Sequence, residues 1–267
     1  MEKQTFGGDD DSEQPAAQQK KLKLSKFELG PDYNIREIFW KIMASYATTK
    51  SPGMDLAGLH NQRIALMRSA LSVMESRESG FYGLSPQFIA RYAMMMALDA
   101  GWEDAFLELI GRARESRAES WQPVVQALKH LLASEKYRKK AVDCMKAGIR
   151  NSGSYPSILF YVPKIGDKEL VSELKREISI YARGDVDENQ LNALDSLAML
   201  AGEEDVKGML LSLLSHWNVD IRRKVAGIIK GVALDEKSAA LINRRIEAEP
   251  DEEIKRVLKK KVMSWKK

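Results

Sequence analysis

From Asp32 onward, apolar residues recur at three- and four-residue steps, the spacing that lines one face of an α-helix. "YNIREIFWKIMASYATT" places Ile35, Ile38, Phe39, Ile42 and Met43 on one stripe, and the breaker "KSPGMD" at 50–55 ends it. "LAGLHNQRIALMRSALSVMES" repeats the pattern through Leu59, Ile64, Met67, Leu71 and Met74. Ser85–Pro86 supplies an N-cap followed by proline at the first helical position, opening "QFIARYAMMMALDAG", and Gly101 is placed to stop that helix. Met94, Met95 and Met96 are consecutive, so they spread around the helix and imply packing from several sides. Sustained period-two alternation is missing, which predicts an all-α chain.

From Trp102 the pattern repeats. Five helix pairs can be cut, opening at Trp102, Ser134, Asp167, Glu203 and Asp235. The period wanders around roughly 33 residues, within the range of stacked helical hairpins. Gly166–Asp167 and Gly202–Glu203 open successive units alike, and Leu170 and Leu174 correspond to Val206 and Leu210. Pro163 in "SYPSILFYVPKIG" predicts a shortened or kinked helix. The expected organisation is a disordered tail at 1–32, N-terminal hairpins or a cap at 33–101, and helical repeats at 102–267.

"NVDIRRKVAGIIKG" and "PDEEIKRVLKKKV" carry an acidic residue, an aliphatic residue and a basic residue at the start of a helix: Asp220, Ile221, Arg222 and Asp251, Ile254, Lys255. Aliphatic residues then follow at four-residue steps, through Val225 and Ile229 in one and Leu258 and Val262 in the other. This pattern resembles that of HEAT-repeat proteins. The likeness spans about 102–265, is strongest over 203–265, and weakens at "SYPSILFYVPKIG" and "DENQLNALDSLAMLAG". It implies a right-handed α-solenoid of HEAT-like hairpins, with an irregular helical N-terminal part and an extended concave surface for a partner.

Charge and composition narrow the picture without naming a ligand. "GGDDDSEQPAAQQKK" is poor in apolar residues, with Asp9–Asp10–Asp11 followed by Lys20, Lys21 and Lys23, which predicts the tail. A lone cysteine, Cys144, rules out an intramolecular disulfide and a thiolate metal cage. No run of about 18 apolar residues and no apolar leader is present, so the expectation is a cytoplasmic protein with no membrane partner.

Candidate chemistry is sparse. His60, His130 and His216 lie in different units without a second ligand at metal spacing, so no metal or other cofactor is expected. His130 reads as a partly buried helix residue, and His216 as a ring that suits a helix C-terminus in its cationic form. Cys144 sits in an amphipathic helix as a small packing residue. Trp102, Trp121 and Trp217 lie near helix ends, where they are expected to pack between hairpins. No nucleophile elbow, P-loop or dinucleotide fingerprint occurs, and no catalytic residue is assigned.

The basic residues remain. From Asn218 onward 14 lysines and arginines face eight acidic residues, an excess larger than the net +4 of the whole chain. Candidate partner-binding residues are Arg222, Arg223, Lys224, Lys230, Lys255, Arg256, Lys259 and Lys260. Lys261 falls on the apolar side of its helix and is expected to snorkel outward. The expected function is a scaffold that binds a protein on its concave surface. The alternative is a DNA- or RNA-binding protein that uses the basic C-terminal repeats.

Overall fold

A computed structural model describes residues 35–75, 84–117, 119–150, 157–184 and 187–265. The chain divides into units Met1–Asp32 and Tyr33–Lys267. The tail expected over 1–32 lies outside the described residues, as do Lys266 and Lys267. The described residues form thirteen α-helices and no strand: α1 (Ile35–Thr49), α2 (Arg63–Glu75), α3 (Pro86–Ala100), α4 (Glu103–Glu115), α5 (Trp121–Leu132), α6 (Glu135–Arg150), α7 (Ser157–Ile165), α8 (Lys168–Ala182), α9 (Glu188–Leu197), α10 (Glu204–Leu213), α11 (Val219–Ile229), α12 (Glu236–Ala248) and α13 (Glu252–Trp265). Short 3-10 helices precede α2 and follow α9.

Helix boundaries follow local chemistry. Ser85 accepts the Phe88 N–H and Pro86 opens α3, while Gly101 closes it in the left-handed region at φ 69°. Asp167, Asp187 and Asp235 cap α8, α9 and α12 through the amides of Leu170, Gln190 and Ser238. Pro163 lies inside α7, which is nine residues long.

The two sequence signatures turn out to be offset. Asn218 caps α11 by accepting from Asp220 and Ile221, whereas Asp251 itself caps α13 by accepting from Glu253 and Ile254. The cap lies three residues before Ile221 in one unit and three before Ile254 in the other, so Asn218 is the structural counterpart of Asp251. Asp220 is a first-turn residue. Substituting Asn218 with alanine is expected to cost about 1 kcal/mol, read as a shift in the urea midpoint.

Each helix packs on its sequence neighbour across most of the chain, and on the next but one. The odd helices α1, α3, α5, α7, α9, α11 and α13 touch in unbroken succession, and so do α2, α4, α6 and α8. The second row continues from α8 through the 3-10 helix Ala198–Leu200, and α10 packs on α12. The result is two facing rows with the core between them. Phe39, Phe106 and Tyr161 are fully buried there, each worth about 1.5–3 kcal/mol of transfer free energy. Met94, Met95 and Met96 are all buried because α3 is packed against α1, α2, α4, α5 and α6. In α2 the buried stripe runs through Leu66, Met67, Ala70, Val73 and Met74. Ile64 and Leu71, expected at its centre, lie on its half-buried margins. Gly148 allows α6 to approach its neighbours closely, since a Cβ there would run into Ile158 Cδ1 and meet Leu107 Cδ2 at 2.7 Å.

Candidate functional site

Several of the C-terminal basic residues are tied to neighbouring helices and turns. Arg222 is 6% exposed. Its Nε and Nη2 donate to the Glu249 carboxylate at 3.0–3.3 Å, and Nη1 donates to the carbonyls of His216 and Trp217. Four of its five N–H groups are thereby committed within the protein, so Arg222 is buried in a structural role. Arg223 pairs with Asp220 at 2.9 Å and Asp251 at 3.1 Å, and Lys224 pairs with Asp195 on α9. Lys255 binds Glu252 at 2.5 Å. Lys261 donates to the Lys230 carbonyl at the end of α11, so it reaches a helix C-terminus as well as the surface.

The same arrangement recurs along the other row. Arg138 on α6 reaches Asp167 and Glu173, Lys175 on α8 reaches Glu203 and Asp205, and Lys207 on α10 reaches Asp235. In each case a base on one helix meets acids at the cap or first turns of the next helix in that row, where the dipole also favours negative charge. Hydrogen bonding from Lys175 holds Asp205 below the ordinary carboxylate range, and hydrogen bonding from Lys207 does the same to Asp235.

Of the candidate residues, Lys230, Arg256, Lys259 and Lys260 are exposed, and no ion pair holds their side chains among the described residues. The last three share one exposed side of α13 with Met263. Trp217 is 78% exposed at the α10–α11 turn and stacks on His216. It is not packed between hairpins, although its carbonyl accepts from Arg222. His216 Nδ1 accepts the Asn218 N–H at 3.1 Å. His130 is on the exposed side of α5 instead of half-buried, and partial desolvation still lowers its pKa. Trp102 is buried as expected. Cys144 is half-buried, with burial pushing its thiol up to about 12.

A second cluster crosses the odd row and was not singled out by the sequence. Trp121 (α5) and Phe160 (α7) meet edge to face, with centroids 5.5 Å apart at 88°. Lys164 Nζ lies 3.6 Å from the Phe160 centroid and 5.7 Å from that of Trp121. Arg114 at the end of α4 approaches the same Phe160 ring at 5.2 Å and donates to Glu188 of α9 at 2.6 Å. The one available signal was the i, i+4 spacing of Phe160 and Lys164, which brings the two onto one helical face. Trp121 is brought to them only by the packing of α5 on α7.

Among the described residues no group of three or more His, Cys, Asp or Glu is arranged to hold a metal ion, and no helix is long and apolar enough to cross a membrane. No protein-family model matches the chain, and no curated protein sequence matches it either.

Proposed function

We propose that the protein is a binding scaffold, a right-handed α-solenoid of HEAT-like hairpins that holds a partner protein on the concave face formed by its second helices. The observation that supports this is the unbroken contact of α5, α7, α9, α11 and α13, which gives one continuous surface spanning five hairpins. Repeated stacking of this kind supplies extended surface, and the interhelix ion pairs fix it in shape before a partner arrives. The test is site-specific photo-crosslinking in the native cell extract. Probes at Gln126 and Leu191 on the odd row should give protein adducts, whereas probes at Ser172 and Ser212 on the even row should not. Adducts from the even row alone, or from neither row, would sink the reading.

A second reading rests on Arg256, Lys259 and Lys260, whose charges have no ion-pair partner among the described residues. They suit a phosphate backbone. If they contact one, replacing all three by alanine weakens DNA or RNA binding measured by fluorescence anisotropy. It also flattens the salt dependence by roughly 0.9 in log–log slope per lost contact on duplex DNA. An unchanged slope removes them from any nucleic-acid interface.

A further inference from the structure

Lys164 stands apart from the bases beside it. The two nearest half-buried bases have found acids: Arg114 holds Glu188, and Lys224 holds Asp195. Those are the two carboxylates whose fields reach Lys164. Both are already engaged, and the Lys164 ammonium has neither a hydrogen bond nor an ion pair among the described residues. Its three N–H groups are left beside aromatic walls. Cation–π attraction to Phe160 and Trp121 offsets only part of the lost hydration. Desolvation lowers its pKa, with Arg114 adding to the effect and Asp195 and Glu188 opposing it.

An ammonium held in a fixed place by two perpendicular rings, and lacking an acceptor, is complementary to one. We propose that Lys164, on the face formed by the second helices, receives a single carboxylate from an acidic segment of a partner protein, with an apolar neighbour of that carboxylate covering Trp121. Glu188 and Asp195 on α9 flank the position. They repel a run of phosphates but tolerate one carboxylate aimed at Nζ, which favours a peptide over a nucleic acid. With Glu188 held by Arg114 and Asp195 held by Lys224, the carboxylate neutralises the one positive charge left over, and excludes water from bonds that form against apolar walls. Specificity follows from the same geometry, because an apolar side chain in that place leaves the ammonium desolvated and unpaired, and an amide oxygen accepts from it without supplying the counter-charge.

This inference rests on the scaffold reading, since it names the chemistry of that partner. The test uses the full chain and fluorescein-labelled peptides of alternating leucine and glutamate, with leucine–glutamine peptides as the neutral match. The acidic peptide should bind saturably and at least about tenfold tighter than the neutral one, the scale of a hydrogen bond to a charged group. K164M should bring the acidic peptide to the neutral peptide's level at an unchanged melting temperature, while K164R, which keeps the charge, retains most of the preference. Equal binding of both peptides, no saturable binding, or a preference that survives K164M overturns the assignment. So does duplex DNA that displaces the acidic peptide from wild type but fails to bind K164M, because the occupant is then a nucleic acid. If the peptide test fails while photo-crosslinks still map to the odd row, the carboxylate assignment falls and the scaffold reading stands. Loss of the crosslinks themselves removes the scaffold reading.

Discussion

Replacing Glu249 by alanine is expected to destabilise the protein by about 3–5 kcal/mol, the largest single effect among its charged residues. The Glu249 side chain is fully buried, and both its oxygens are taken by Arg222 and Arg245, with the Asp251 N–H as a further donor. Removing it leaves two arginines without their counter-charge, and Arg222 is too deeply placed to recover water. The same carboxylate joins the α10–α11 turn to the α12–α13 turn through Arg222, so the loss falls on the contact between the last two hairpins. Urea unfolding of E249A, R222M and the double variant reads this directly. Both single changes should be severe. The pair of changes should be milder than their sum, because the double variant no longer buries an unpaired charge. Additive losses would show that the bidentate pair carries no coupling energy.

The pH dependence has a definite sign. Burial alone would raise the Glu249 pKa, but hydrogen bonds from Arg222, Asp251 and Arg245 outweigh it and hold the carboxyl below its ordinary value. A carboxylate whose folded pKa is depressed contributes in full above its unfolded pKa of about 4.3, and that contribution is lost as pH falls through the folded value. Asp104, held low by Arg63, and Asp167, held low against burial by the Leu170 amide and Arg138, act in the same direction. Melting temperature should therefore be insensitive to pH between neutrality and about 5, then fall with acid, and less steeply in E249A than in wild type.

The helices were legible in the sequence because their information is local. Periodic apolar residues, Ser85–Pro86 and Gly101 each act within a few positions of where they stand, and α3 begins and ends where they direct. The five segments cut from Trp102 onward each hold two α-helices for the same reason. What a charge does in this protein depends instead on a residue 27 to 35 positions away in another hairpin. Arg222 and Arg223 are adjacent in sequence and equally basic, yet Arg222 turns inward to Glu249 and Arg223 remains half-exposed against Asp251. No local pattern separates them, because the helix rotation sends neighbouring positions about 100° apart and only the next hairpin decides which direction is buried. Lys164 was hidden in the converse way. Its sequence environment is apolar and unremarkable, and its lack of a partner becomes apparent only once Arg114 and Lys224 have taken Glu188 and Asp195.

Asp99 should be the second costly site, with Asp99→Ala losing about 2–4 kcal/mol, the scale of leaving buried hydroxyls unsatisfied. It stands in the last turn of α3, where the helix dipole disfavours a negative charge. Three donors reverse that balance. Tyr46 of α1 and Tyr137 of α6 donate their hydroxyls to Oδ2 at 3.1 and 3.0 Å, and Lys136 approaches Oδ1 at 3.1 Å. Tyr46 is fully buried and Tyr137 nearly so, with burial the leading reason that both phenols are pushed above their ordinary pKa and kept as donors. One carboxylate thus fastens the first helix and the sixth to the end of the third, over sequence separations of 53 and 38 residues. Asp99→Asn keeps an acceptor for the hydroxyls and should lose less than Asp99→Ala. Tyr46→Phe made in the Asp99→Ala background should cost less than in wild type, since the bond it removes is already gone. Equal costs for Tyr46→Phe in the two backgrounds would mean that the hydrogen bond contributes nothing, and that α1 is held to α3 by apolar packing alone.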